Sequence, residues 1–382
     1  MSRKKTSTKN ISFDDERKVY YVTFNYGKNQ DGKNIKATKT YTKLAVAKKE
    51  LKSFEANKIK HELILPNEDT LRGYLQYWIH DVKELKCEHS TIYGYQLMID
   101  KYINPNLGKT KLQDITTIQL NKYFAKMIKN GLSTNTVRKH YDLLKDALKQ
   151  AKMDEKIYQN PLEQIEPIKI KRKEQNCYTQ EELQKLFDII KGQNIEIAIK
   201  LAGMLGLRRE EISGLIWDNV DFDNNLVKIV EARVTYGKIT EIKDTKNRHS
   251  YRFLFLPKEL KELLLTIRQK QKTYMKLQKL DESDFPFVFC KEDGQPYRPN
   301  YISNRFKTIL DKNNLPHIRF HDLRHSFASI ANDLGVSLYD ISKALGHGDI
   351  STTTKIYTHM FDKTNKKAIT TVASQFNSNK EK

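Results

Sequence analysis

Cysteine is scarce. Cys87, Cys177 and Cys290 are the only three in 382 residues, and they stand far apart. That excludes a disulfide framework and a cysteine-based zinc site, and it fits a reducing compartment. No apolar run approaches the roughly 20 residues that a membrane helix needs. Residues 1–10 are basic and contain no apolar core, so they do not read as a secretory signal. Acidic residues are outnumbered, 47 Asp/Glu against 68 Lys/Arg, giving a net charge of +21. No Asp/Glu cluster stands at metal-ligand spacing.

So large a positive excess calls for a polyanionic partner, and nucleic acid accounts for it better than a merely solubilising surface. The excess is steep at the N-terminus, where residues 1–60 hold 16 Lys/Arg against 6 Asp/Glu. There, residues 19–26 (VYYVTFNY) are β-branched and aromatic, residues 29–32 supply turn chemistry, and residues 34–41 can return as a second strand. A shorter strand is expected near 11–13. From Lys43 onward, Leu44, Ala47, Leu51 and Phe54 recur at helical spacing. Residues 1–64 are thus expected to form a three-stranded sheet plus helix that presents a basic face to DNA, with Arg17, Lys28 and Lys36 as contacts.

Residues 65–167 read as a four-helix module, with helices at 70–81, 90–103, 117–130 and 133–153. Ser90 and Ser133 suit N-caps and Gly131 a C-cap, while Pro105 and Gly108 are expected to break the chain between the second and third helices. Lys122, Lys126, Arg138 and Lys139 on the polar faces can clamp a duplex backbone. A basic linker, 168–174, leads to the last domain, 175–382, which opens on the capping box Thr179-Gln180-Glu181-Glu182.

In that domain residues 195–216 are helical apart from Gly206. Arg208 sits beside the glycine turn, and Glu211, three residues on, can lock its guanidinium. Strands are expected at 226–231, 233–242 and 250–256, with 243–248 as the hairpin between the last two and Lys246 at its tip. Leu323, Phe327, Ile330 and Leu334 form an apolar stripe on a helix ending near Gly335. His321, Arg324 and His325 fall on roughly the opposite side, a cluster that is poor core material and well suited to gripping a phosphate. A capping box at 337–340 opens a further helix, in which Tyr339 reads as core. His347 follows at its end, then Tyr357. Zinc binding by His321 and His325 lacks the intervening Glu of a zincin.

These side chains suit attack of a phenol on a phosphodiester. Two guanidiniums can neutralise the developing charge, Lys246 can protonate the departing 5′ oxygen, and imidazoles can hold the phosphate or move the phenol proton. In order and spacing, Gly206-Leu207-Arg208-x-x-Glu211, His321-x-x-Arg324, Leu345-Gly346-His347 and Tyr357 resemble the signature of the tyrosine recombinases, the phage integrase family, across residues 175–362. The helical module is similar to that family's core-site-binding domain. The N-terminal sheet is similar to the arm-site-binding domain of integrases from conjugative transposons and temperate phages of Gram-positive bacteria.

The resemblance implies a mainly α multidomain protein with small β elements and a mixed α/β catalytic domain that clamps double-stranded DNA at core and arm attachment sites. It implies Arg208, Lys246, His321, Arg324 and His347 around the nucleophile Tyr357, with Glu211 and His325 supporting. It further implies a 3′-phosphotyrosyl intermediate without metal or other cofactor, a homotetramer on DNA, and a bacterial cytoplasmic location. It leaves room for a host DNA-bending protein and an excisionase. Two rival readings share these residues: a topoisomerase-IB-like nicking-closing enzyme, and a non-catalytic DNA-binding regulator derived from a recombinase.

Overall fold

Alternating β-branched and aromatic residues build the first element. The computed structural model describes residues 3–28, 33–59, 67–170, 176–244 and 251–346. These fall into two compact units, Met1–Arg172 and Lys173–Lys382. The first unit opens on an antiparallel sheet of β1 (Arg3–Lys5), β2 (Ile11–Asp14), β3 (Val19–Lys28) and β4 (Asn34–Tyr41), in that spatial order. The sheet thus has four strands where three were expected. The added strand, Arg-Lys-Lys, has no apolar alternation for a periodicity argument to detect. It is held by backbone pairing from Arg3↔Asp14 to Lys5↔Ser12, and by the Arg3 guanidinium 3.9 Å from the Tyr21 ring centroid. Helix α1 (Leu44–Ile59) covers the sheet, burying Ala47 and Leu51 against Ile11, Val22 and Phe24.

The helices that follow have their own core around Trp78, Tyr141, Leu144 and Leu148. Helix α2 (Leu71–Tyr77), capped by the Thr70 hydroxyl, continues as a π turn over Trp78–Lys83. Helix α3 (His89–Met98) begins after Glu88, so Ser90 is not its cap. The Glu88 carbonyl already accepts from the amides of Thr91 and Ile92, which places Ser90 inside the first turn. Pro105 does not break the chain either. The helix passes through a π turn, Ile99–Ile103, into α4 (Asn104–Leu107), and Pro105 sits at the start of this last piece, where its missing N–H costs little. Helix α5 (Thr117–Lys129) opens on a Thr116/Gln119 capping box, and α6 (Thr134–Met153) on Ser133, whose hydroxyl accepts from the Thr136 amide. Gly131, at φ 83°, turns the chain between them.

In the second unit the capping box at Thr179 and Glu182 starts α7 (Gln180–Ile190). Helix α8 (Glu196–Leu205) is buried on nearly every side and forms the axis of the core, with α9 (Arg209–Gly214) following directly. Two small antiparallel sheets come next. One pairs β5 (Val220–Asp221), β6 (Leu226–Ile229) and β9 (Arg252–Phe255); the other pairs β7 (Glu231–Tyr236) with β8 (Ile239–Asp244). The single strand expected over 233–242 is therefore folded in two at Gly237, φ 56°, with Tyr236 opposite Ile239. Strands β8 and β9 belong to different sheets, and residues 245–250, with the tip of the expected hairpin, lie outside the described residues. The β-branched run on both sides of Gly237 hid this turn. Helices α10 (Lys258–Gln278), α11 (Pro299–Lys312), α12 (Asp322–Asp333) and α13 (Leu338–Leu345) follow among the described residues. Among the described residues no helix is long and apolar enough to cross a membrane.

Candidate active site

The geometry starts at Gly206. Helix α8 ends there in the left-handed conformation, φ 68°, with the Leu207 amide bonding back to the Leu201 carbonyl. This tight reversal delivers Arg208 to the N-cap of α9. Glu211, in the first turn of α9, reaches back: Oε2 accepts from the Arg208 backbone amide at 2.8 Å and Oε1 from Arg208 Nη1 at 2.7 Å. The carboxylate therefore fixes Arg208 at both ends, as its spacing suggested.

Sequence reasoning missed a second claimant on this carboxylate. Arg252 of β9 grips Glu211 through Nη1–Oε1 at 3.0 Å and Nη2–Oε2 at 2.8 Å. Both Glu211 and Arg252 are buried. Burial alone would raise the Glu211 pKa; the hydrogen bonds and charge of Arg252, with those of Arg208, outweigh it and bring the value to about 2. A signal existed in the sequence: Arg252 alternates with Leu254 and Leu256, so it points to the core side of its strand.

Helix α12 supplies His321, Arg324 and His325. The cluster is not uniformly outward-facing, as had been expected. Arg324 is 2% exposed and His325 is buried, whereas Leu334, assigned to the apolar stripe, is 71% exposed beyond the helix end. Arg324 tolerates burial because its fork is satisfied: Nη1 donates to the Gly206 carbonyl at 2.8 Å and Nη2 to the Leu345 carbonyl at 2.6 Å. His325 packs edge-on against His321, ring centroids 5.0 Å apart. Burial, then the neighbouring His321, pushes the His325 pKa down to about 4, so the ring is neutral near pH 7. His321, at the exposed N-cap of α12, is also lowered, first by the protein packed about it and then by Arg324; Asp322 and Glu210 act in the opposite sense and Arg208 adds to the lowering. His321, Arg324 and Arg208 thus share one electrostatic neighbourhood.

Three guanidiniums converge on the last carbonyls of α13. Arg252 Nε donates to Ala344 at 2.7 Å, Arg324 Nη2 to Leu345 at 2.6 Å, and Arg208 Nη2 to Gly346 at 3.3 Å. A helix C-terminus carries exposed carbonyls and partial negative charge, so it attracts cations. Gly346, φ 65°, caps the helix and points the chain toward position 347. Lys246, His347 and Tyr357 lie outside the described residues. Tyr339, expected in the core, is 61% exposed, because the buried face of α13 is made by Ile341, Ser342 and Leu345 instead. Among the described residues no group of three His, Cys, Asp or Glu side chains converges as metal donors.

Most of the residues expected to contact DNA are exposed. Lys122 and Lys126 are exposed on one face of α5, with Lys126 Nζ 2.8 Å from Asn106 Oδ1. Lys139 is exposed on α6. Arg138 is half-buried and held by Asp142 at 2.8 and 3.0 Å. Arg17 is exposed in the turn between β2 and β3, Lys36 is exposed on β4, and Lys28 is the last residue of β3.

Two family models match this chain: the phage integrase family over residues 176–364, and the phage integrase N-terminal SAM-like domain over residues 70–146. A tyrosine recombinase XerC-like protein of Caldanaerobacter subterraneus subsp. tengcongensis is 28% identical, covering 94% of this chain and 97% of the relative. The ICEBs1 integrase of Bacillus subtilis is 26% identical, covering 73% of this chain and 76% of the relative. In fold, the chain is similar to the Tn1549 transposon integrase in complex with a circular intermediate DNA, with a TM-score of 0.64 at 18% identity, covering 74% of this chain and 94% of that one. The spacing of Arg208, His321 and Arg324, the convergence of the two arginines at the end of α13 and these matches lead to one assignment: the chain belongs to the phage integrase family of tyrosine recombinases.

Proposed function

We propose that this site-specific recombinase of a mobile element cuts and rejoins double-stranded DNA through Tyr357, with Arg208, Lys246, His321, Arg324 and His347 as the catalytic set. The observation that carries this reading is the meeting of Arg208 and Arg324, 116 positions apart in sequence, on adjacent carbonyls immediately before residue 347. Arg208, half-exposed and oriented by Glu211, donates to a non-bridging oxygen of the scissile phosphate, and Arg324 stabilises the same charge from beneath. His321, with an exposed edge and a lowered pKa, is mostly neutral near pH 7 and can accept a proton or hydrogen-bond the phosphate.

The Tyr357 oxygen forms a bond to phosphorus as its proton leaves to a neighbouring imidazole, and the phosphorus bond to the 5′ oxygen breaks. Lys246 gives that oxygen a proton, leaving a 3′-phosphotyrosyl link and a free 5′-hydroxyl. Attack by a 5′-hydroxyl from a second duplex reverses the step, so bond energy is conserved without a nucleotide or metal. Four protomers on two duplexes exchange one strand pair at a time through a Holliday junction.

The helices of residues 65–167, with Lys122, Lys126, Arg138 and Lys139, bind the core site. The N-terminal sheet, with Arg17, Lys28 and Lys36, binds the arm site. A nicked suicide DNA carrying the core site tests the chemistry: wild type should become covalently attached, and Y357F should bind the same DNA without an adduct. An adduct in Y357F would move the nucleophile elsewhere. No adduct in wild type would favour a DNA-binding regulator, and efficient relaxation of plasmids lacking any target would favour a nicking-closing enzyme.

A further inference from the structure

We propose that Arg252 is a positioning residue for the strand-cleavage site, keeping one positive charge of the Arg208–Glu211–Arg252 triad available to the DNA phosphate. The inference rests on Arg208 being a phosphate ligand. Glu211 is 2% exposed and lies within hydrogen-bond distance of both guanidiniums. With Arg208 alone, the carboxylate would cancel the charge that the phosphate must meet. With Arg252 added, two guanidiniums share one carboxylate and a surplus positive charge remains.

Arg252 itself is 7% exposed and buried behind Glu211, so the charge it contributes is passed to the phosphate through Arg208. Its bidentate grip also holds the carboxylate in one orientation, leaving Oε1 on Arg208 Nη1 and Oε2 on the Arg208 amide. Through Nε it holds the Ala344 carbonyl, one residue before the carbonyl bound by Arg324 and two before that bound by Arg208. One side chain thereby ties the first phosphate ligand to the helix end that leads into residue 347.

Single-turnover adduct formation on the suicide DNA tests this, with core-site affinity measured in parallel. R252M should slow the adduct by about 10- to 100-fold while affinity stays within about threefold. The double variant R252M/E211Q should recover about tenfold over R252M, because removing the carboxylate's charge returns the surplus to Arg208. A purely structural role predicts instead that E211Q adds its own loss; that result, or a wild-type rate in R252M, overturns the proposal. R252K, which keeps the charge but not the fork, guards against misfolding of R252M: about three- to tenfold slower is expected, and an unchanged rate overturns the need for a fork. R208K separates the two levels. A wild-type rate there removes the underlying reading of Arg208, whereas a slow R208K beside a normal R252M removes only the positioning role.

Discussion

The Arg324 guanidinium lies 2.6 Å from the Leu345 carbonyl and is sealed from solvent, so the cation proposed to face the scissile phosphate also serves as a structural pin between α12 and α13. Its other terminal nitrogen holds Gly206, the residue that turns the chain toward Arg208. Chemistry and packing are therefore inseparable at this position.

R324K should lose on both counts. A lysine offers no planar fork to reach two carbonyls, leaving at least one without its charged donor at a cost of about 1–3 kcal/mol. Chemical denaturation should show that loss, and adduct formation should fall by more than about 100-fold. Full stability together with full activity would mean that neither carbonyl depends on the guanidinium.

Gly206 is expected to admit no side chain. Its φ is 68°, and a Cβ there would stand 2.6 Å from Leu345 Cδ2 and 2.9 Å from Phe327 Cδ1. G206A combines left-handed strain with overpacking, each of order 1–3 kcal/mol. A fall in Tm with weakened cleavage is expected; an unchanged Tm would show that α13 can shift freely.

How far the sequence exposed this site depends on what kind of signal each residue gave. Arg208, Glu211, His321 and Arg324 were legible because their spacing on helices is itself chemical information. The burial of Arg324 was not, since its acceptors are backbone carbonyls of Gly206 and Leu345, to which every residue type contributes alike. Arg252 escaped because its partners, Glu211 and Ala344, are 41 and 92 positions away, and only its inward place on a strand hinted at them. Strand β1 and the reversal at Gly237 escaped for a local reason: one has no apolar pattern, the other no break in one. The helices were easier, because Ser133 and Thr179 mark their starts with a short-range hydrogen bond.

Acid should destabilise the second unit in two stages. His325 has its folded pKa lowered from 6.5 to about 4, so the unfolded chain binds the proton first. Its contribution is complete above the unfolded value and is lost as pH falls from 6.5 toward 4. Glu211, lowered from 4.5 to about 2, follows the same sign and loses its contribution as pH falls from 4.5 toward 2. Urea midpoints against pH should decline through the first window in wild type, and H325Q should flatten that part of the curve. An identical slope in H325Q would assign the titration to another group.

Lys122 and Lys126 stand four residues apart on α5, and both are exposed. If they meet phosphates, each alanine substitution should weaken core-site binding at low salt and reduce the slope of log K against log salt by about 0.9. Arg138, already committed to Asp142, should change that slope less. Equal slopes in all three variants and wild type would place the duplex on another face.

The N-terminal sheet carries its own small core: Ile11, Val22, Phe24, Ala47 and Leu51, joined by Tyr20, Tyr26, Tyr41, Leu44 and Phe54, and among the described residues none from beyond position 54 enters the cluster. Deleting residues 1–60 consequently removes a self-contained module and leaves intact the clusters around Trp78 and around α8. Cleavage of an isolated core site should then proceed at close to the full-length rate, because Arg208, His321 and Arg324 and their carbonyl partners are untouched. Integration between full-length attachment sites should drop sharply, since the exposed Arg17 and Lys36 go with the module and distal sites lose their basic partner. Undiminished integration by the shortened protein would remove the arm-site role, while a loss of core cleavage would show that the sheet also supports the helices behind it.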